Sequence, residues 1–133
     1  MKKGNLKDYL YVCPNCLNVL KECKCHIYPI TLIQIDKNML PIIRELNKKY
    51  FLTEGCCEGH IGANEFIYII FKKRYNFKLA LPNGFTGDGT YIKANIKGSS
   101  ELSKKINKRK LLNNLYKWAC ELEKLGTNLL IVE

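Results

Sequence analysis

Four cysteines fall within thirteen residues near the N-terminus, as Cys13-Pro14-Asn15-Cys16 and then Cys23-Lys24-Cys25. No other stretch restricts the fold as much, because a segment so short of core-forming side chains needs a covalent or metal staple. Disulfides fit poorly. The chain has seven cysteines, an odd number that leaves a disulfide framework incomplete. With 133 residues, 47% of them hydrophobic, it builds an ordinary core without cross-links. A Cys-x-x-Cys turn lets both sulfurs reach one ion at about 2.3 Å, and Cys-x-Cys supplies a second pair where the backbone bends. Soft thiolates favour zinc over magnesium or calcium. The expectation is therefore one structural Zn2+ held by Cys13, Cys16, Cys23 and Cys25, a closed site that serves scaffolding. His26 is a substitute ligand. An iron–sulfur cluster, a redox Cys-x-x-Cys pair and four free cysteines are the competing readings.

The remaining pattern predicts a zinc-ribbon appendage over 1–29 and an α+β domain over 30–133. Residues 31–35 read as a strand, rich in β-branched side chains. Asp36 and Asn38 are both good helix caps, and Pro41 favours Asn38, since that choice places the proline in the first turn. Met39, Ile42, Ile43, Leu46 and Tyr50 then share one helical face. Strands follow at 50–53, 66–71 and 91–96, with a glycine-rich loop over 81–89. Ser99 or Ser100 caps a last helix reaching about Leu125, with Gly126 just beyond it. Its buried stripe is Leu112, Leu115, Trp118, Ala119 and Leu122. Leu102 and Ile106 fall out of phase, which predicts a kink near 107–110. Residues 129–132 read as a closing strand. The order points to an antiparallel sheet with two helices on one face, a split βαβ or ferredoxin-like tendency.

A second constellation lies at Thr53-Glu-Gly-Cys-Cys-Glu-Gly-His60, where a turn between strands is a common place for binding residues. Cys56 and Cys57 face opposite sides of an extended strand, so one of them at most enters a common site. Three readings stand here. One of the two cysteines packs in the core while His60 caps a turn; His60, with Cys57 or Glu58 assisting, forms a catalytic or binding pocket; or a second metal site is completed by His26 or Glu54. A nucleophilic thiolate needs a partner such as His60 to lower its pKa, and no third, orienting residue stands out.

Cys-Pro-x-Cys, Cys-x-Cys-His26, Ile35-Asp-Lys, Pro41-Ile-Ile, Leu46-Asn47 and Thr53-x-x-Cys-Cys-x-Gly-His60 together resemble small uncharacterised proteins of phages and low-GC Gram-positive bacteria. The resemblance covers roughly the first half of the chain and implies a shared structural unit. A more limited similarity is to tRNA wybutosine-synthesis methyltransferases, in which a helix ending in Asn precedes a Thr-x-Ser-Cys-Ser-Gly-Arg turn. Here Cys56 and Cys57 stand where serine and cysteine would, and His60 replaces the arginine. What this similarity implies is a nucleotide-related turn.

The formal charge is +10, or about +8 once four thiolates hold a zinc ion. One reading of this charge is solubility together with codon bias from an AT-rich genome. The competing reading is a polyanionic partner such as nucleic acid or a phosphorylated ligand. Lys72, Lys73 and Arg74 close one strand, Lys105, Lys108 and Arg109 lie on the last helix, and Tyr75 among others offers a stacking platform beside cations. The loop over 84–89 lacks the Gly-Lys-Ser/Thr ending of a phosphate-binding loop. The leading expectation is a zinc-stabilised binding protein for nucleic acid or a nucleotide-type ligand, in one setting phage-borne and acting on host machinery. The alternatives are a small enzyme using Cys57, Glu58 and His60 on a nucleotide or RNA, and an inhibitor or adaptor meeting a host protein. No signal peptide or membrane span is legible, so a cytoplasmic location is expected.

Overall fold

The computed structural model describes residues 9–25 and 32–124. In order these form β1 (Tyr9–Val12), β2 (Ile33–Asp36), α1 (Leu40–Lys48), β3 (Thr53–Cys57), β4 (Phe66–Phe71), β5 (Thr86–Gly87), β6 (Tyr91–Asn95) and α2 (Glu101–Glu121). Single 3-10 turns occupy Leu20–Glu22 and Lys37–Met39. β1 and β2 make a two-stranded antiparallel ribbon, and the other strands make a sheet in the order β3-β4-β6-β5, antiparallel throughout. The class is α+β, with a cysteine cluster at the N-terminal side. Among the described helices none is long and apolar enough to cross a membrane.

The main sheet has one apolar face. On β4 the buried residues are Ile67, Ile69 and Phe71, and on β6 they are Ile92 and Ala94, alternating with exposed Tyr91, Lys93 and Asn95. Period-two alternation of this kind buries one side of a strand. Ile42, Ile43 and Leu46 of α1 and Leu115, Trp118 and Ala119 of α2 complete the same core cluster. Pro41 sits in the first turn of α1, as its missing N–H allows. The helix stops at Lys48 because Tyr50 adopts φ +74°. The Tyr50 N–H then reaches the Asn47 carbonyl at 3.0 Å and the Phe51 N–H reaches that of Leu46 at 3.0 Å. This is a Schellman closure with tyrosine in the place glycine usually takes. It removes Tyr50 from the apolar stripe and leaves it 55% exposed.

Several expectations are corrected. The strand preceding α1 does not enter the main sheet, as the split βαβ pattern would require, but pairs with β1, Tyr9 opposite Asp36 and Val12 opposite Ile33. Of its four residues only Ile35 is buried, so it has too little apolar surface for the interior of a sheet. The ribbon also straddles the boundary expected at 29/30, and Val12 and Leu17 belong to the common core. The strand expected at 50–53 begins at Thr53 and runs through both Cys56 and Cys57. α2 is continuous, without the kink near 107–110. It contains neither proline nor glycine, and Leu102 and Ile106 stay 68% and 49% exposed instead of turning inward. Its start is fixed by a capping box, in which Ser100 Oγ accepts from the Ser103 N–H at 3.1 Å and Ser103 Oγ accepts from the Ser100 N–H at 3.0 Å. The strand expected at 129–132 and Gly126 lie outside the described residues, as does His26.

Tyr75, expected as a stacking platform, is a core residue only 3% exposed. Its ring meets Phe51 and Phe71 edge-on, at 5.3 and 5.7 Å between centroids, and its hydroxyl accepts the Leu52 N–H at 3.0 Å. Phe77 joins this group and packs edge-on against Trp118 at 5.0 Å. Tyr75→Ala and Trp118→Ala should each cost about 3–5 kcal/mol, the usual loss when a buried aromatic is truncated. Denaturant melts of the two variants check this, with Lys73→Ala as an exposed control within about 0.5 kcal/mol of wild type.

Candidate metal centre and adjacent cleft

β1 delivers the chain directly into Cys13, where a tight turn follows. The Cys13 N–H donates to the Asn18 carbonyl at 2.9 Å and the Leu17 N–H to the Cys13 carbonyl at 2.8 Å. Leu17 takes φ +63° to close the loop, a conformation uncommon outside glycine, and its side chain is buried. The sulfurs of Cys13, Cys16, Cys23 and Cys25 all lie within 4.8 Å of one another. Those of Cys13 and Cys25 are 4.0 Å apart, against about 3.8 Å for the edge of a tetrahedron with 2.3 Å metal–sulfur bonds. These four residues could hold a metal ion. Two donors of Asn15 face the cluster, its N–H 3.4 Å from Cys13 Sγ and its amide nitrogen 3.2 Å from Cys25 Sγ.

Two of the thiols, Cys13 and Cys23, are shifted in opposite directions. The Cys16 N–H, followed by that of Asn15, draws the Cys13 thiol down to about 7. At Cys23 the Cys25 N–H pulls downward, but burial and protons shared with Cys13, Cys16 and Cys25 outweigh it and push the thiol up to about 12. Converging sulfurs cannot all become thiolates unless a cation joins them. The turn is fastened to α1 by Arg44, whose Nε and Nη2 both donate to the Leu17 carbonyl, at 3.1 and 2.9 Å. Sequence periodicity placed Arg44 off the apolar face and gave no sign of this clamp.

The second constellation is built around the end of β3. Cys56 lies opposite Ile69 and Cys57 opposite Tyr68, so the two thiols face opposite sides of the sheet. Cys56 packs against the core, and burial, with the charges of Asp36, Cys57 and Glu58 added, pushes its thiol up to about 12. Cys57 is 8% exposed and its thiol is also raised, first by burial and then by Asp36 and Glu58. That shift is the reverse of what activates a nucleophile. Its sulfur lies with Asp36 and His60 in a three-residue cluster. Asp36 is thus the third member that sequence reading could not name. Glu54 is exposed and takes no part.

Glu58 is buried, 5% exposed, and both of its oxygens are engaged. Oε1 accepts the Asn38 N–H at 3.0 Å, and Oε2 accepts the Asn38 side-chain amide at 3.1 Å and Lys108 Nζ at 2.8 Å. The Glu58 N–H donates to Asp36 Oδ2 at 2.9 Å. Neither Asp36 nor Asn38 makes a side-chain capping bond to a helix; both reach across to this turn. Lys108 also donates to the Gly59 carbonyl at 2.7 Å. Gly59 holds φ +82°, and a Cβ there would come within 2.6 Å of Ile96 Cδ1 and 3.1 Å of the Phe66 carbonyl oxygen. Only glycine fits such a corner.

Between this turn, the start of α1 and the first half of α2 lies an open cleft of about 920 Å³, lined by Asn38, Glu58, His60, Lys105, Lys108 and Arg109, with Tyr116 and Asn113 also on its wall. Lys108 is committed to Glu58, Lys105 pairs loosely with Glu101 at 3.7 Å across an exposed gap, and Arg109 has no ion-pair or hydrogen-bond partner among the described residues. Lys72, Lys73 and Arg74 lie elsewhere. They follow β4, whereas Glu65, which pairs with Lys104 at 3.0 Å, precedes it. None of Lys72, Lys73 and Arg74 lines the cleft.

The three cations of α2 should therefore behave differently on substitution. Lys108→Ala strands a buried carboxylate and should cost about 3 kcal/mol. Lys105→Ala and Arg109→Ala should stay within about 0.5 kcal/mol of wild type, as exposed side chains do. Urea melts of the three single variants separate the cases. Compared with known proteins, the chain matches no family model, no curated protein and no solved structure.

Proposed function

We propose that this chain is a binding module, stabilised by one structural zinc ion, that takes a phosphate-bearing, nucleotide-type ligand in the cleft between the β3–β4 turn and α2. The observation that carries the reading is the cleft itself, with Arg109 unpartnered among the described residues and Lys105 weakly held on one wall. Its volume lies in the range of small-molecule sites. A guanidinium suits a phosphate because it donates two parallel hydrogen bonds. Asn38, Asn113 and the Tyr116 ring supply polar and aromatic groups for the remainder of such a ligand. The Lys72–Arg74 run does not line this cleft. It becomes relevant only if the ligand is a longer strand.

Zinc is favoured by sulfurs close enough for a single ion, since an iron–sulfur cluster spreads its four thiolates around several metal and sulfide centres. A closed set of four thiolates leaves no position for substrate, so the role is structural. The fold around it depends on the ion in the way small zinc-stapled units do.

Two measurements check the proposal. Cys13→Ser or Cys16→Ser should release about one zinc per chain, as judged by elemental analysis, and lower the melting temperature. Full retention in both variants removes the zinc assignment. Calorimetric titration with AMP, ATP and adenosine should give binding that needs the phosphate. Lys105→Gln with Arg109→Gln should weaken it about tenfold or more, through the loss of charge-assisted contacts. Changing Lys72, Lys73 and Arg74 to Gln should leave it unaltered. Equal binding of adenosine and ATP, or none of either, would overturn the cleft as a phosphate site.

A further inference from the structure

Asp36, Cys57 and His60 come from three places in the chain: the end of β2, the end of β3 and the turn beyond it. Their ligating atoms nevertheless all lie within 4.8 Å of one another. His60 Nε2 is 3.2 Å from Asp36 Oδ2. A carboxylate oxygen, a sulfur and an imidazole nitrogen are a donor set suited to zinc(II) and related ions.

Two further observations favour a cation here. The Asp36 side chain is 15% exposed, and among the described residues no Lys or Arg pairs with it. Its neighbour Glu58 already uses Lys108, so the negative charge of Asp36 is left without a fixed cation. The backbone also holds the donor atoms in place. The Glu58 N–H points at Asp36 Oδ2 at 2.9 Å, and the Gly59 N–H points at Cys57 Sγ at 3.4 Å. Outer hydrogen bonds of this type orient metal ligands, and the glycine-only corner at Gly59 fixes the second of them.

We propose that Asp36, Cys57 and His60 form a second zinc site, with three protein ligands and a coordination position left for an anionic group from the cleft. Glu58 is not the fourth ligand, because Asn38 and Lys108 occupy both its oxygens. His60, 38% exposed, is the member that lines the cleft. The contrast with the four-cysteine centre is one of coordination. That centre is closed and scaffolding, whereas three ligands are the arrangement that keeps a zinc position open to solvent or substrate. The site stands on its own donor set and does not depend on the nucleotide reading of the cleft.

The test uses the untagged full chain, loaded with excess zinc, freed of unbound metal by gel filtration and analysed for zinc. Wild type should carry about two ions, one closed and one open. His60→Gln and Asp36→Asn should each carry about one, with wild-type far-UV circular dichroism. Cys13→Ser should keep the second ion. In cobalt(II)-loaded protein carrying Cys13→Ser and Cys16→Ser together, a thiolate-to-metal band should remain and should fall on adding Cys57→Ser. Cys57 is buried, so if its variant fails to fold, His60→Gln at an exposed side chain still decides the matter. About one ion in wild type overturns the site. So does a second ion that survives Asp36→Asn and His60→Gln alike, since it would sit on other residues. In either case the three side chains are a hydrogen-bonded cluster only.

Discussion

A carboxylate taken out of water must find its hydrogen bonds inside the protein, and an unsatisfied one costs several kcal/mol. Glu58 finds them on two other segments. Asn38, just before α1, supplies its N–H and its side-chain amide, and Lys108, two turns into α2, supplies its ammonium. Through these bonds one side chain at the end of β3 ties together the ribbon exit, the first helix and the last helix. The cleft exists because these three parts are held at fixed spacing around that turn. A hydrophobic contact would hold them too, but it would not specify which polar groups face the gap. With Glu58 and Lys108 committed to each other, what remains directed at the cleft is Lys105, Arg109 and His60.

The cysteine turn depends on the same body rather than standing beside it. Val12 and Leu17 enter the common core, and Arg44 of α1 closes the turn by donating twice to the Leu17 carbonyl. A bound ion would therefore act on more than its own loop. It would fix the chain direction at Cys13, immediately after Val12, and so hold β1 against β2.

Much of this was legible in the sequence, and the division follows from range. The strand at Phe66–Phe71, the buried face of α1 and the cysteine spacing are local patterns, and each was read to within a residue or two. Tyr75 departs from its sequence expectation because an aromatic beside cations has the same pattern whether it stacks on a ligand or plugs the core. Lys108, Arg44 and Asp36 carry no periodic signal. Each matters through one partner far along the chain, such as the fifty residues between Lys108 and Glu58. The phase slip in the last helix was a real feature given the wrong cause. Leu102 and Ile106 are exposed and the buried residues of α2 begin only at Leu115, so the pattern changes while the helix continues.

The ribbon connects the two candidate metal positions. Its register sets Val12, next to Cys13, against Ile33 and sets Tyr9 against Asp36. The cysteine cluster thus lies at one end of β1–β2 and Asp36 at the other, about 10 Å away along four residues. Because side chains alternate along a strand, a one-residue slip would turn Asp36 to the opposite face. An isolated two-stranded ribbon has little stability of its own, and this one has few buried residues to specify its register. What pins it is the cysteine turn at one end and, at the other, the hydrogen bond from Glu58 to Asp36. The cysteine turn, remote from the cleft, is then part of what aims a carboxylate at Cys57 and His60.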